Sequence, residues 1–374
     1  MEFSIKHNDA NTNARTGLLS LPHGKLETPV FMPVGTNATV KAITPHSIED
    51  IGYRIILSNS YHLFLRPGTG VIKEAGGLHQ FMSWPHNILT DSGGYQVFSL
   101  APFRKIKVDG IYFRSHIDGS YHTLSPKGVV DIQSILRSDI MMPLDVCTGP
   151  DSTYKQSLEA LETTTRWAKQ SKAQWLLRTQ DKDYNGNLFG IVQGNFFQDL
   201  RKRSAEEITS LELPGYAIGG LSVGEDYSQF VDFLAYTSEF LPVNKPRYIM
   251  GIGTPEYILH AVENGIDMFD CVFATRTARN GLVFTQNGSI ALKKAYNEYI
   301  LQPIEPGCSC YACTHYSRAY LRHLFKSKEI LGPMLATYHN LEFLFNFLVD
   351  IRNSIAENRF TEFKESFLSK YGGE

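Results

Sequence analysis

Short apolar runs recur along the chain at 54–58, 87–91, 140–145, 188–193, 216–220, 247–251 and 266–272, and each reads as a strand. Between several of them lie amphipathic stretches that predict helices, at 157–177, 198–211, 229–241 and 255–263. Thr44-Pro45 and Thr254-Pro255 place an N-capping hydroxyl before a proline suited to the first helical position. Strand, helix, strand, repeated this often, predicts a parallel sheet, and an α/β fold closed as a (β/α)8 TIM barrel is its economical form. The polar residues strengthen that expectation. Asn59, Asp91, Asp145, Gln193, Gly219-Gly220 and Asp270 all fall at the C-terminal end of an apolar run. In a barrel those ends converge on one mouth, whereas an open sheet would spread them along a line.

The stretch 265–280, GIDMFDCVFATRTARN, is the most loaded of these. It opens as a strand in which Asp267 and Asp270 intrude where apolar residues belong, then is expected to turn into a loop carrying Arg276 and Arg279 among Thr275, Thr277 and Asn280. A carboxylate beside a short cationic segment suits chemistry on an anionic polymer, the acid attacking or shuttling protons while arginines hold phosphates. The plainer alternative is a capping aspartate and solvated arginines. In 90–99, TDSGGYQVFS, Asp91 precedes Ser92, Gly93 and Gly94, a segment free to turn tightly, and then Tyr95, on which a planar heterocycle could stack. A β-turn with a surface tyrosine fits the same letters. Asp145 and Cys147, Gln193, and the Gly219 and Gly220 amides together complement a purine edge, guanine better than adenine. Singly, each also has a structural use, as a helix cap, a backbone partner or a tight-packing glycine.

Composition narrows the class. The 374 residues are 43% hydrophobic and 20% charged, ordinary for a globular protein with ample core. A net charge of −2 argues against a general polyanion binder, so any nucleic-acid footprint must be local. The opening MEFSIKHNDANTNAR lacks an apolar signal core, and no run approaches the roughly 18 apolar residues of a membrane span. A cytoplasmic protein without membrane contact is expected. Five cysteines are few and odd in number, and three of them, Cys308, Cys310 and Cys313, crowd into CSCYAC, which points to metal rather than to bridges. Gly251-Ile-Gly253 does not complete a dinucleotide fingerprint.

Taken together, DSGGYQVFSL, GIVQGN, GYAIGGLSVGE, MGIGTPE, GIDMFDCVFATRTARNG, CSCYAC and TYHN resemble the tRNA-guanine transglycosylases, the queuine tRNA-ribosyltransferase family, in their bacterial form, over nearly the whole chain. The resemblance implies a pentosyltransferase that swaps guanine at the wobble position of GUN-anticodon tRNAs (Asp, Asn, His, Tyr) for the 7-deazaguanine preQ1, or for queuine directly. It implies Asp270 as nucleophile and Asp91 as general acid/base. Ser92, Gly93, Gly94, Tyr95, Asp145, Gln193, Gly219 and Gly220 would bind the base. Gly251, Ile252, Gly253, Thr254, Pro255, Glu256 and Tyr257, with Thr275, Arg276, Thr277, Ala278 and Arg279, would contact the anticodon loop. The fold implied is a barrel over about 1–280, a zinc-binding subdomain over about 281–345 and a C-terminal helical segment over about 346–374.

Base exchange at a ribose C1′ with retention needs two displacements, so one carboxylate attacks while another group manages protons. A single structural Zn²⁺ is expected on Cys308, Cys310, Cys313 and His339, since four protein ligands close a tetrahedron. Arg276, Arg279, Lys293, Lys294, Arg318, Arg322, Lys326 and Lys328 face only Glu298 and Glu305 over the same span, a local basic face for tRNA. Apolar Leu341, Phe345 and Leu348 are expected to pack the subdomain onto the barrel and to help form a homodimer. Val146 stands where the bacterial pattern carries an acid, whereas Glu225, Val223 and Cys147 match the form that takes preQ1. A non-catalytic tRNA-binding subunit of the same fold and a barrel-type zinc hydrolase are the competing classes.

Overall fold

The computed structural model describes residues 1–101, 103–180 and 184–371. Eight parallel strands close on themselves: β1 Val30–Gly35, β2 Ile55–Asn59, β3 Asn87–Asp91, β4 Ile140–Met141, β5 Asn187–Val192, β6 Gly215–Ile218, β7 Arg247–Ile249 and β8 Met268–Cys271. Each strand pairs with its neighbours in sequence, and β8 closes the ring on β1 from Met268 opposite Val30 to Cys271 opposite Pro33. This is the expected α/β barrel. Seven of its strands coincide with the seven apolar runs to within a residue or a few at either end; the eighth, β1, carries Pro33 and is hidden by it, because proline normally marks an edge or the end of a ladder. The run 140–145 pairs as a strand only through Met141, since Pro143 has no N–H to donate. Alternate side chains such as Met32, Leu57, Leu89, Phe189, Ile191 and Tyr248 fill the barrel interior.

Helices follow the strands where amphipathic spacing predicts them, as Tyr154–Arg178, Gln198–Thr209, Tyr227–Ser238 and Pro255–Glu263. Both Thr-Pro signals start helices, and the Thr44 hydroxyl accepts from the Ser47 N–H at 3.1 Å. Two insertions decorate the barrel. Between β3 and β4 come the helix Gly94–Leu100, an antiparallel sheet of Arg104–Lys107, Gly110–Arg114 and Tyr121–Leu124, and the helix Pro126–Leu136. After β8 come the helix Phe273–Arg279, the hairpin Leu282–Thr285 and Gly288–Ala291, and two short helices, Tyr311–His315 and Arg318–Lys326. The 26-residue helix Leu331–Ala356 then returns to pack against β1 and the helix Pro45–Ile51, in the place of the eighth barrel helix.

Three expectations change. Residues 273–279 are helical rather than a loop, because Ala274 and Ala278, one turn apart and both buried, seat that face against Leu331–Ala356. The division expected at 345/346 falls inside Leu331–Ala356, one continuous helix with His339 near its start. Leu341 and Leu348 are buried in the common core, and Phe345 packs edge-on to Tyr53 with ring centres 5.3 Å apart, so these three are used within the chain.

An N-terminal sheet of Glu2–Asn8, Arg15–Leu21 and Gly24–Thr28 covers the bottom of the barrel, where Leu19, Leu21 and Leu26 join the interior cluster. There Asp267 finds its reason. The Arg15 guanidinium donates to both of its oxygens, at 3.0 and 2.6 Å, and the Arg247 N–H adds a third donor at 2.7 Å. The pair is buried, so removing one partner strands the other's charge away from water. Arg15→Met is expected to cost about 3–5 kcal/mol in urea unfolding. A loss within experimental error of zero would show that Asp267 is held without Arg15.

Candidate active site

The carboxyl ends of the strands enclose a cavity of about 540 Å³. Asp91, Ser92, Tyr95, Asp145, Gln193, Gly219, Gly220, Gly251 and Asp270 all line it, so residues spread over 180 positions of sequence meet in one place. Gly93 and Gly94 lie behind the wall. A β-carbon on Gly93 would meet the Tyr61 side chain at 2.8 Å, and Gly94 borders a smaller cavity with Tyr95, Val146 and Cys147. Tyr95 is 55% exposed on the first turn of its helix.

Three carboxylates share this space, and every protein donor found on them is neutral. Asp91 accepts from the Asn59 amide at 2.6 Å and from the Ser60 N–H at 3.1 Å. Burial pushes its pKa up to about 7, the Ser60 N–H opposing and the neighbouring Asp270 adding to the rise. Asp145 accepts from the Gln193 amide at 2.8 Å and from the Ser92 hydroxyl at 3.5 Å, and burial raises it to about 6. Asp270 is raised too, by burial, against donors that favour its anion. On a single oxygen, Oδ1, it accepts from the Tyr248 hydroxyl at 2.5 Å and the Gly251 N–H at 2.9 Å. Its Oδ2 has no donor among the described residues. Two acids in one cavity therefore differ: Asp91 holds a proton near neutrality, while Asp270 has hydrogen bonds to its ionised form and one uncommitted oxygen. Cys147 and Cys271 also line the cavity, but burial pushes their thiols up to about 12 and about 11, so both stay protonated.

Sequence reasoning did not find the supporting residues Tyr248, Ser60 and Arg201, and singled out Asn59 only as a polar strand end. Arg201 is buried in the helix Gln198–Thr209. Its guanidinium donates to the carbonyls of Asn195 at 2.7 Å, Gly219 at 2.7 Å and Gly220 at 3.0 Å, tying the loops after β5 and β6 together. A β-carbon on Gly220, whose φ is +68°, would meet the Gln193 amide oxygen at 2.5 Å and push that side chain off Asp145. Glu225 accepts from the N–H groups of Ser222, Val223 and Gly224, holding the loop whose Ser222 and Val223 border the cavity. An arginine inside an amphipathic helix carries no signal of a loop partner, which is why Arg201 escapes a reading by pattern.

The model of the family described as Queuine tRNA-ribosyltransferase matches residues 9–373. Proteins named queuine tRNA-ribosyltransferase are 52% identical in Treponema denticola, over 99% of this chain and 97% of the relative, and 51% identical in Pelotomaculum thermopropionicum, over 100% of both. A third, from Caldanaerobacter subterraneus subsp. tengcongensis, is 51% identical over 100% of this chain and 98% of the relative. The chain belongs to the queuine tRNA-ribosyltransferase family. It is an enzyme of the pentosyltransferase class.

In this family member the two segments expected at RNA present only part of themselves. Gly251 is exposed at the cavity rim, whereas Ile252, Gly253 and Pro255 are buried, and a β-carbon on Gly253 would meet that of Cys271 at 2.3 Å. Thr254, Glu256 and Tyr257 are half-buried, Tyr257 against Tyr227 and Phe230. On the helix Phe273–Arg279, Thr275 and Ala278 point into the core and Thr277 is half-buried, leaving Arg276 exposed and Arg279 half-buried with an Nη1 that meets no acceptor among the described residues. Ile252 and Ala278 offer no side chain to RNA, since the hydrophobic core takes both. The basic face also narrows: Arg318 donates to the carbonyls of Pro303 and Ile304, and Arg322 pairs with Glu298 at 3.0 Å. Arg276, Lys293, Lys294, Lys326 and Lys328 remain exposed.

Cys308, Cys310, Cys313 and His339 converge, with their ligand atoms all within 4.8 Å of one another. The three Sγ atoms lie 3.9, 3.3 and 3.5 Å from His339 Nδ1. A tetrahedral ion with about 2.3 Å bonds to sulfur and 2.0–2.1 Å to nitrogen spaces S and N about 3.6 Å apart, so the cluster fits one metal ion with four protein ligands. His339 Nε2 donates to the Phe284 carbonyl at 2.7 Å, which leaves Nδ1 as the lone-pair nitrogen facing the sulfurs. None of the four lines the cavity of the acids.

The raised pKa of Asp91 has a consequence for stability. The folded chain binds this proton more tightly than the unfolded one, so stability falls as pH rises from about 3.8 towards about 7. Asp91→Asn is expected to be the more stable protein at pH 8, by on the order of 1–4 kcal/mol, with a smaller gap at pH 5.5. Denaturant melts at both pH values measure it; an equal gap at the two would mean that Asp91 ionises as an exposed carboxylate does.

Proposed function

We propose that this enzyme replaces the guanine at the wobble position of GUN-anticodon tRNAs (Asp, Asn, His, Tyr) by preQ1, in queuosine biosynthesis, by double displacement through an ester between Asp270 and the ribose. What carries the reading is one cavity in which Asp270 keeps an uncommitted oxygen beside Asp91, a carboxyl that holds a proton near neutrality. The target nucleotide leaves its stack and enters the cavity, with Tyr95 as the face for its base. Asp270 attacks C1′, the glycosidic bond breaks, and guanine departs with a proton from Asp91. The incoming base returns a proton to Asp91 and its ring nitrogen attacks C1′, releasing Asp270. Two inversions give retention.

Base recognition follows from the same walls. Asp145, steadied by Gln193, accepts from the N–H edge of guanine, and the Gly219-Gly220 segment supplies main-chain donors to its carbonyl. Val223 and Cys147 keep the far wall small, which favours preQ1 over the bulkier queuine. Exposed Arg276 and half-buried Arg279 hold phosphates of the anticodon loop. Zinc fills the Cys308, Cys310, Cys313 and His339 cluster as a structural ion, closed to substrate by its four protein ligands. That none of the five cysteines forms a disulfide accords with a cytoplasmic enzyme. We take it to act as a homodimer, supported by the exposed Tyr299, Leu301 and Ile330 on the metal-bearing excursion.

Asp270→Asn is expected to abolish both guanine exchange and the covalent RNA adduct in a denaturing gel, a loss of at least three orders of magnitude given the role of the nucleophile. A normal adduct yield would remove Asp270 from the chemistry. Cys310→Ala is expected to lose stoichiometric zinc and to melt at a lower temperature. Full zinc content with an unchanged melt would contradict a structural Cys3His site.

A further inference from the structure

The antiparallel sheet between β3 and β4 has one face that the barrel does not use. Ile111, Phe113 and Leu124 point inward and are buried. On the outward face the register places Lys105 opposite Tyr112 and Arg114 opposite Tyr121, with Lys107 two residues along from Lys105. The rings of Tyr112 and Tyr121 stack with centres 5.3 Å apart and planes 4° from parallel, and Lys107 Nζ lies 5.1 Å from the Tyr112 ring. Tyr121 is 57% exposed, and all four residues of the edge strand Arg104–Lys107 are exposed. No carboxylate stands on any of the three strands; Asp109 and Asp118 lie in the turns. Neighbouring cations on one sheet face repel, and nothing on the strands neutralises them.

We propose that this face binds single-stranded RNA, namely the nucleotides adjoining the one held in the cavity, an inference that rests on the tRNA reading above. Three observations favour a polynucleotide. The cations match phosphates in sign, and the paired tyrosines offer flat surfaces on which bases stack whatever their sequence. The edge strand also borders the active site: Arg104 and Ile106, on its inward side, share a small cavity with Tyr95, Asp145 and Cys147, which line the main cavity too, and Lys105 and Lys107 alternate with them on the outward side of the same strand. A strand leaving the cavity past Tyr95 meets this edge first.

The test uses the full-length protein, fluorescein-labelled tRNA titrated by anisotropy over a range of salt, and guanine exchange on the same tRNA. Lys105→Ala/Lys107→Ala is expected to weaken binding about ten-fold at low salt and to lower the slope of log affinity against log salt by about 1.4, for two phosphate contacts on a single strand. Tyr121→Ala is expected to weaken binding about five-fold or more with the slope unchanged, as lost stacking requires. In both, KM for tRNA rises while kcat holds, because none of these side chains lines the cavity. Affinity within two-fold of the parent and an unchanged slope in both variants would overturn the proposal. Should the parent fail to exchange guanine, the proposed activity falls, and the binding titration still decides whether this face takes RNA.

Discussion

Three buried carboxylates share one cavity with no cation among the described residues paired to any of them, and the site follows from that arrangement. Asp91, Asp145 and Asp270 are held by amides, hydroxyls and main-chain N–H groups, so burial raises all three. The contrast with Asp267 is instructive. It lies three residues before Asp270 on the same approach to β8, equally buried and likewise raised by burial, yet at the bottom of the barrel an arginine fork gives it a cation to pair with. One short segment therefore carries an ion-paired carboxylate just before the strand and an unpaired one, facing the cavity, near its end. What separates them is the partner each meets across the barrel, and only the first was given a charge of opposite sign.

Supporting groups then differentiate the acids. Two donors on one oxygen of Asp270 favour its anion, while Asp91 carries a pKa near neutrality despite its own donors. Arg201 contributes without touching an acid, binding three carbonyls and fixing the loops that present Gln193 and Gly220. The positions of the acids depend on a layer of neutral and backbone contacts behind them.

The excursion that carries the Cys3His cluster is joined to this barrel chiefly through one long helix. Leu331–Ala356 brings His339 to the three cysteines and then packs on β1, the strand that pairs with β8 and thus backs Asp270. Asn340, the next residue, accepts from the Phe284 N–H and donates to the Ala274 carbonyl, tying the helix after β8 to the hairpin beyond it. The Cys3His cluster and the helix that carries Arg276 thus share one packing partner.

Much of this was legible in the chain alone. Apolar runs ending in polar residues were enough to infer a barrel and to name the acids at its mouth, because strand periodicity and strand ends are local properties. CSCYAC pointed to a site that could hold a metal for the same reason, three of its four candidate ligands being close in sequence. Tertiary structure alone decided what depends on distant neighbours: that Pro33 sits inside a barrel strand, that 273–279 is a helix, that Ile252 and Ala278 are core, and that Arg318 and Arg322 are occupied by their own subdomain. It also separated Asp267 from Asp270, which are alike on paper. A residue's letter states what it can donate or accept, whereas its proton affinity and its availability are set by which groups the fold places around it.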